Sequence, residues 1–196
     1  MSGVRGVVVA VAMLASAACS GGPVLEGSVY RDPTLGWSIA APPGGEARWT
    51  RIRVEGADLA LRGPAGELMS LEVHCGVPLA EPQVLARSLR SGVPEALVRD
   101  QREVTVDGRL AWAQVFDARP ERRPAPKPAD PSGRAQAGSD AGDAPAVRVK
   151  TVTRVDAHCV QDFVLAAPGD WAAAEGAFDA WWGSFRAAPE ASGGGG

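Results

Sequence analysis

The sequence predicts an antiparallel α+β fold: a β-sheet with helices packed on it. Three observations carry that prediction. Apolar and polar residues alternate through several segments of strand length, as in "ELMSLEVHC". The dipeptide Asp107-Gly108 sits between two such segments, where a tight hairpin turn is wanted. Apolar residues at three- and four-residue spacing mark a helix midway along the chain and another near its end. Strands, helix, more strands, helix is the order of an antiparallel sheet with helices on it.

The elements follow in order. "GWSIAAP" reads as a strand stopped by Pro42 and Pro43, and "ARWTRIRV" and "ADLALRG" as short strands flanking a turn at Glu55 and Gly56. In "ELMSLEVHC", Met69, Leu71, Val73 and Cys75 share one face, while Leu68, Ser70, Glu72 and His74 share the other. "PQVLARSLRSG" begins with Pro82 at a first helical position, buries Val84, Leu85 and Leu89, and stops at Gly92. "REVTVDGRLAWAQVF" is the hairpin, and "AVRVKTVTRVDA" and "CVQDFVLAAP" form a second strand pair. Asp170 then caps a helix whose stripe is Trp171, Ala174, Phe178, Trp181 and Phe185.

Two stretches resemble a known family. "VYRDPTLGWSIAAP" is similar to the opening of the PsbP-like α/β/α sandwich, with a Tyr-x-Asp stretch, then Gly-aromatic-Ser-Ile, then Pro. "WWGSF" resembles the close of that family's last helix. The likeness runs from Val29 to Arg186 and implies the sandwich fold. The family hosts extrinsic photosystem subunits, small-GTPase binders and many bacterial lipoproteins. It carries no shared catalytic motif onto this chain, so the resemblance implies fold and not activity.

The N-terminus, "MSGVRGVVVAVAMLASAACSGG", has the layout of an export signal: Arg5, an apolar run from Val7 to Ala15, then small residues. The run is too short to span a bilayer as a mature helix. Small residues leading into Cys19, with Ser-Gly-Gly-Pro after it, resemble the lipobox of bacterial lipoproteins, although Ser16 stands where that family favours Leu. The resemblance implies cleavage before Cys19 and lipidation of its sulfur. Ser20 at the next position implies the outer membrane in a Gram-negative cell. The alternative is an ordinary signal cut after Ser16-Ala17-Ala18, leaving Cys19 as a free thiol.

The chain thus divides into a signal (1–18), a lipidated Cys19 with its tether (19–28), one α+β domain (29–187) and a Gly-rich tail (188–196). Residues 118–146 interrupt the domain with six prolines and no large apolar residue, and read as a disordered insertion. The formal net charge is −3, with only two lysines, Lys127 and Lys150. That balance gives no clustered cationic face for nucleic acid. Zincin, P-loop, nucleophile-elbow and EF-hand patterns are all missing from the sequence. Asp32 beside Arg31 is either a functional pair or an Asp-Pro turn.

The chemistry-bearing residues concentrate in "EVHCGV" and "DAHCVQ". His74 and His158 are the only histidines, and Cys75 and Cys159 are the only cysteines besides Cys19. A Cys₂His₂ metal site has the right ligand types. Yet neighbours on a strand point to opposite faces, so each His-Cys pair cannot converge on one ion without a bulge. No C-x-x-C supports a redox pair. A disulfide fits best: an exported chain is in an oxidising compartment, and both sulfurs share faces with apolar residues, so both are expected in the core. With the cysteines opposite one another, His74 faces Val160 and His158 faces Gly76. The histidines then lie diagonally on the outer face, open to a small-ligand or metal site. Trp181 and Trp182 are adjacent on a helix, so one must leave the buried stripe, either to mark a partner surface or to cover the sheet edge. The expectation is a non-enzymatic, lipid-anchored envelope protein without a cofactor, acting on an envelope partner. The alternatives are a small-ligand or metal carrier using His74 and His158 and, third, an enzyme of unrecognised type.

Overall fold

The computed structural model describes residues 22–77, 80–91, 93, 96–118 and 146–187. The signal, Cys19, residues 119–145 of the insertion and the Gly-rich tail lie outside the described residues.

The strands form two sheets. The smaller has the order β1-β2-β3, from β1 (Val24–Glu26), β2 (Val29–Asp32) and β3 (Trp37–Ala40). The larger contains β4 (Thr50–Ile52), β5 (Leu59–Arg62), β6 (Leu68–Cys75), β7 (Leu97–Val106), β8 (Arg109–Ala118), β9 (Val147–Val155) and β10 (Cys159–Ala167). Its order is β4-β5-β6-β10-β9-β8-β7, and all its neighbours are antiparallel. The helices are α1 (Gly45–Arg48), α2 (Pro82–Ser91) and α3 (Trp171–Gly183). The fold is the antiparallel α+β arrangement expected.

The large sheet is two meanders, β4-β5-β6 and β7-β8-β9-β10, joined where β10 returns to β6. Local turns explain the meanders except between β8 and β9, which residues 119–146 separate. Asp107 and Gly108 both take positive φ, 48° and 72°, which matches the twist of the β7–β8 hairpin. The β6–β10 seam is not local, and its register comes from side chains. Met69 faces Leu165, and Leu71 faces Phe163. All four are fully buried, so a slip of one residue would turn them to the opposite face.

The two helices lie on opposite faces. Gln114 points to α2, where its amide donates to the Ala86 carbonyl. Neighbouring positions point to α3, among them Lys150, which faces Val115 across the sheet. On the α3 side, Ala174, Phe178 and Trp181 are buried, and Asp170 caps the helix by accepting from the Ala173 N–H at 3.3 Å. Phe163 meets Trp181 edge-on at 6.2 Å and Phe185 edge-on at 5.2 Å. The small sheet inserts Tyr30, Trp37 and Ile39 into the same core. Each such large side chain stabilises by about 1.5–3 kcal/mol.

Three local expectations change. Residues 24–26, read as tether, form β1: Gly27 at φ 64° reverses the chain so that Leu25 pairs with Tyr30, and Arg51 holds the Pro23 carbonyl at 2.6 Å. "ARWTRIRV" is a strand only from Thr50, because Gly45–Arg48 make one helical turn first. In α2 the buried residue is Ala86, and Val84 is 53 % exposed. The helix rides close on the sheet, so a small side chain takes the contact that spacing gives to Val84.

One charge is buried in the α3 interface. Lys150 is 1 % exposed, and its ammonium donates to Glu175 at 2.8 Å and Asp179 at 2.9 Å on α3. The two carboxylates reach solvent and the ammonium does not. We therefore expect Glu175→Gln/Asp179→Asn, which strands the ammonium, to cost about 3–5 kcal/mol. Lys150→Met leaves carboxylates that water can solvate and should cost less, about 1–3 kcal/mol. Urea midpoints of the two variants check the order.

Candidate functional site

The Cys75–Cys159 disulfide is formed, and the two residues sit directly opposite at the end of the β6–β10 seam. The hairpin from β9 to β10 positions Cys159. The Asp156 carboxylate accepts from the His158 N–H at 3.0 Å and the Cys159 N–H at 2.8 Å, closing the turn. Its other oxygen takes Arg154 and Gln161, each at 2.9 Å. Burial pushes the Asp156 carboxyl up, but these hydrogen bonds outweigh it and hold the group below its ordinary value. Arg154 is itself buried, bonded also to Gln161 at 2.7 Å and the Val106 carbonyl at 3.3 Å, with Phe185 beneath its guanidinium.

The sulfurs are not in the core as expected. Cys75 is exposed and Cys159 half-buried. Their faces are apolar, but the covering layer runs out toward the strand end: Leu71 is buried, Val73 half-buried, Cys75 exposed. Alternation gives the face of a residue and not whether anything lies above it.

The histidines take the pairing expected. His74 faces Val160, and the Gly76 N–H donates to the His158 carbonyl at 3.0 Å. The side chains go separate ways. His74 contacts Glu72 at 3.0 Å, and His158 is exposed in the Asp156 turn. Among the described residues no group of three His, Cys, Asp or Glu is placed to hold a metal. Of the tryptophan pair, Trp181 is core and cannot offer a surface; Trp182 is half-buried and donates to Asp179 at 2.8 Å.

Beside His74, on the α2-facing side of the sheet, lies a polar seam that the sequence reading missed. Asp162 faces Glu72 across the β6–β10 pair and is 6 % exposed. Thr153, fully buried, donates to it at 2.7 Å. Burial raises the Asp162 carboxyl above its ordinary value of 3.8, and Glu72 adds to the rise, while Thr153 and His74 oppose it. Alternation predicted the face of Asp162, but only the assembled sheet puts a second carboxylate opposite.

A cleft lies elsewhere, between the small sheet and the residues that follow α3. Its volume is about 430 Å³, and Arg31, Asp32, Trp37, Ser38 and Arg186 are among its walls. Residue Ser38 pairs with Arg186 through two backbone hydrogen bonds of 2.8 Å, and the Ala40 N–H donates to Ser184 Oγ at 3.0 Å. Arg31 is exposed and contacts Glu26 at 3.1 Å. Arg186 donates to the Phe185 carbonyl at 2.6 Å and lies 3.8 Å from Asp107. Trp37 is buried, and its indole N–H has no partner among the described residues. Asp32 does not pair with Arg31. Its carboxylate accepts from the Thr34 and Leu35 N–H groups, both at 2.8 Å, so its role is the turn. The walls carry two arginines and two carboxylates, Glu26 and Asp32, beside the indole of Trp37, and Arg31 is paired with Glu26. Such a mixture of charged and apolar groups suits binding of a ligand with polar and apolar parts.

No family model matches the chain, and no curated protein matches it. Solved structures do. The cyanobacterial PsbP (CyanoP) of Synechocystis sp. PCC 6803, determined in solution, superposes with a TM-score of 0.51 at 17 % identity, covering 85 % of this chain and 96 % of that one. A crystal structure from Bacteroides thetaiotaomicron VPI-5482 gives 0.52 at 10 % identity, covering 85 % of this chain and half of that one. The fold is thus PsbP-like, as the resemblance implied; identities this low speak to fold alone.

Two outcomes follow from this geometry. Because the native Asp162 carboxyl titrates above 3.8, the folded state retains a proton that the unfolded chain has released between the two values. Stability therefore falls as pH rises through that window. Asp162→Asn keeps an acceptor for Thr153 and removes the titration. Its urea midpoint should exceed that of the unsubstituted chain near pH 7, and the difference should close as pH falls toward 3.8. Opening the bridge, which spans a sequence separation of 84, by reduction or Cys75→Ala/Cys159→Ala should cost about 4 kcal/mol in the chain-entropy model. The same denaturation measured with and without reductant checks it.

Proposed function

We propose that this chain is a lipid-anchored protein of the bacterial cell envelope, a non-enzymatic binding module held to the membrane through Cys19. In a Gram-negative cell the membrane is the outer one. The observation that carries the reading is the Cys75–Cys159 bridge. A structural disulfide belongs to a compartment where thiols oxidise, which agrees with a chain that opens on an export-like segment ending in small residues and Cys19. Thioether-linked diacylglycerol together with an N-acyl chain exceeds the two-chain requirement for stable anchoring.

The cleft supports binding as the activity. Arg31, paired with Glu26, and Arg186 supply charged groups, and Trp37 supplies an apolar wall. The partner suited to that chemistry is an envelope protein presenting polar and apolar side chains together. The fold, shared with a cyanobacterial PsbP, is consistent with such a module.

Feeding labelled palmitate to cells making the full chain tests the anchor. Label should enter the protein and the protein should sediment with membranes. Cys19→Ala should abolish both. Label retained by Cys19→Ala, or a chain that is unlabelled and soluble from the start, would overturn the reading.

A further inference from the structure

The large sheet ends in an unusual edge. Among the described residues β7 pairs only with β8, so its other side is open. It is ten residues long, and every residue from Leu97 to Glu103 is exposed. The opposite edge, β4, is three residues. A long open edge is a template for another strand.

The segment Arg99-Asp100-Gln101-Arg102-Glu103 has a particular property. Read backwards, every charge changes sign. In an antiparallel pair of two such strands centred on Gln101, Asp100 of one copy faces Arg102 of the other, twice, and each Arg99 approaches a Glu103. Val98 then falls opposite Val104. Neighbouring registers do the reverse. A shift of one residue puts Arg99 against Arg102 or Asp100 against Glu103. A shift of two puts Asp100 against Asp100 or Arg102 against Arg102. Opposite charges facing across a pair stabilise it and like charges destabilise it, so one register is selected and its neighbours are disfavoured.

The fold presents the central charges correctly. Asp100 and Arg102 lie on the same face of β7, facing Val115 and Ala113 of β8, and they hold each other at 2.7 Å. That ion pair is exposed, so it contributes little and does not resist exchange for an equivalent pair across an interface. The strand is irregular between Val98 and Asp100, and the Arg99 guanidinium is held by Asp117 at 2.7 and 2.8 Å. The matched stretch is therefore centred on residues 100–102, with the outer pairs secondary.

We propose that β7 is the interface for a second copy of this chain, through antiparallel β7–β7 pairing about a two-fold axis at Gln101. This closes the open edge with its own complement and makes one continuous sheet of the two large sheets. Pairing along one edge buries less than the roughly 1,200 Å² of a standard stable interface, so the dimer is weak, with Kd on the order of micromolar.

A charge exchange tests it on the full chain in detergent solution, followed by sedimentation velocity over a concentration series. The unsubstituted chain should show a monomer–dimer equilibrium. Asp100→Arg puts Arg against Arg in the selected register, and Arg102→Asp puts Asp against Asp; each alone should weaken the dimer at least tenfold. Both positions are exposed, and unchanged near-UV circular dichroism shows that the variants fold. In a mixture of the two variants the introduced arginine of one chain meets the introduced aspartate of the other. The native Arg102 of the first then meets the native Asp100 of the second, and dimer should return. A second readout is Gln101→Cys, which should give a reducible cross-linked dimer above the background of the unsubstituted chain, while Thr105→Cys should not. A chain that stays monomeric throughout the series, single variants that dimerise as well as the parent, or a mixture that stays monomeric would each overturn the proposal.

Discussion

The fold depends on one non-local pairing, the seam between β6 and β10. Most other neighbours follow one another through a short reversal, and β8 and β9, though separated by residues 119–146, are still consecutive in the chain. Nothing local brings β10 back past β9 to β6. What sets it there is the match of Met69 with Leu165 and Leu71 with Phe163, buried under α3 and the small sheet, followed by a covalent bond one step beyond the core. The bond lies where packing has ended and Cys75 is exposed. Apolar burial specifies the register along most of the seam. The disulfide holds the end that burial no longer reaches, and it limits the freedom of an unfolded chain containing residues 119–145.

The seam also gathers charge. Arg154, Gln161 and Asp156 form a bonded group under the Cys159 turn, while Asp162 and Glu72 oppose each other on the other face. The two carboxyls of this region are tuned in opposite directions for opposite reasons. Asp156 accepts two backbone N–H groups and two side-chain donors, so its charged form is favoured despite burial. Asp162 has one hydroxyl and a neighbouring acid, so burial prevails. Titration here reports on how well each charge is solvated by the protein, and the same strand pair carries both results.

The two surfaces proposed for binding, the cleft and the sheet edge, lie on different elements. The cleft forms because the residues after α3 add to the edge of β3 through Ser38 and Arg186, so that Arg186 and Arg31, from the end and the start of the domain, both line it. The β7 edge lies at the far limit of the large sheet, beyond β8. A partner in the cleft and a second copy on β7 engage different elements, so an anchored pair would present two clefts without competing for them.

How much of this was legible in sequence follows from how local each cause is. Alternation and turn chemistry act within a few residues, so β6, the Asp107-Gly108 hairpin, the Asp170 cap and the α3 stripe could be read directly, and the faces of Cys75 and Cys159 with them. Strand β1 escapes such a reading because three residues carry too little pattern to separate a strand from a tether; the partner β2 makes it one. Spacing sends Val84 to the core because periodicity marks a helix's apolar face but not how closely the helix rides, and proximity to β8 and β9 gives the contact to Ala86. Sequence alone determined the class of fold and the cysteine pairing, while β7 extends to Leu97, five residues before the hairpin read from Arg102. Tertiary structure decided that the bridge stands outside the core, that Asp162 meets Glu72, and that Arg31, Trp37 and Arg186 share one cleft. These depend on which distant segments lie over a residue, and no single stretch of chain encodes its own cover.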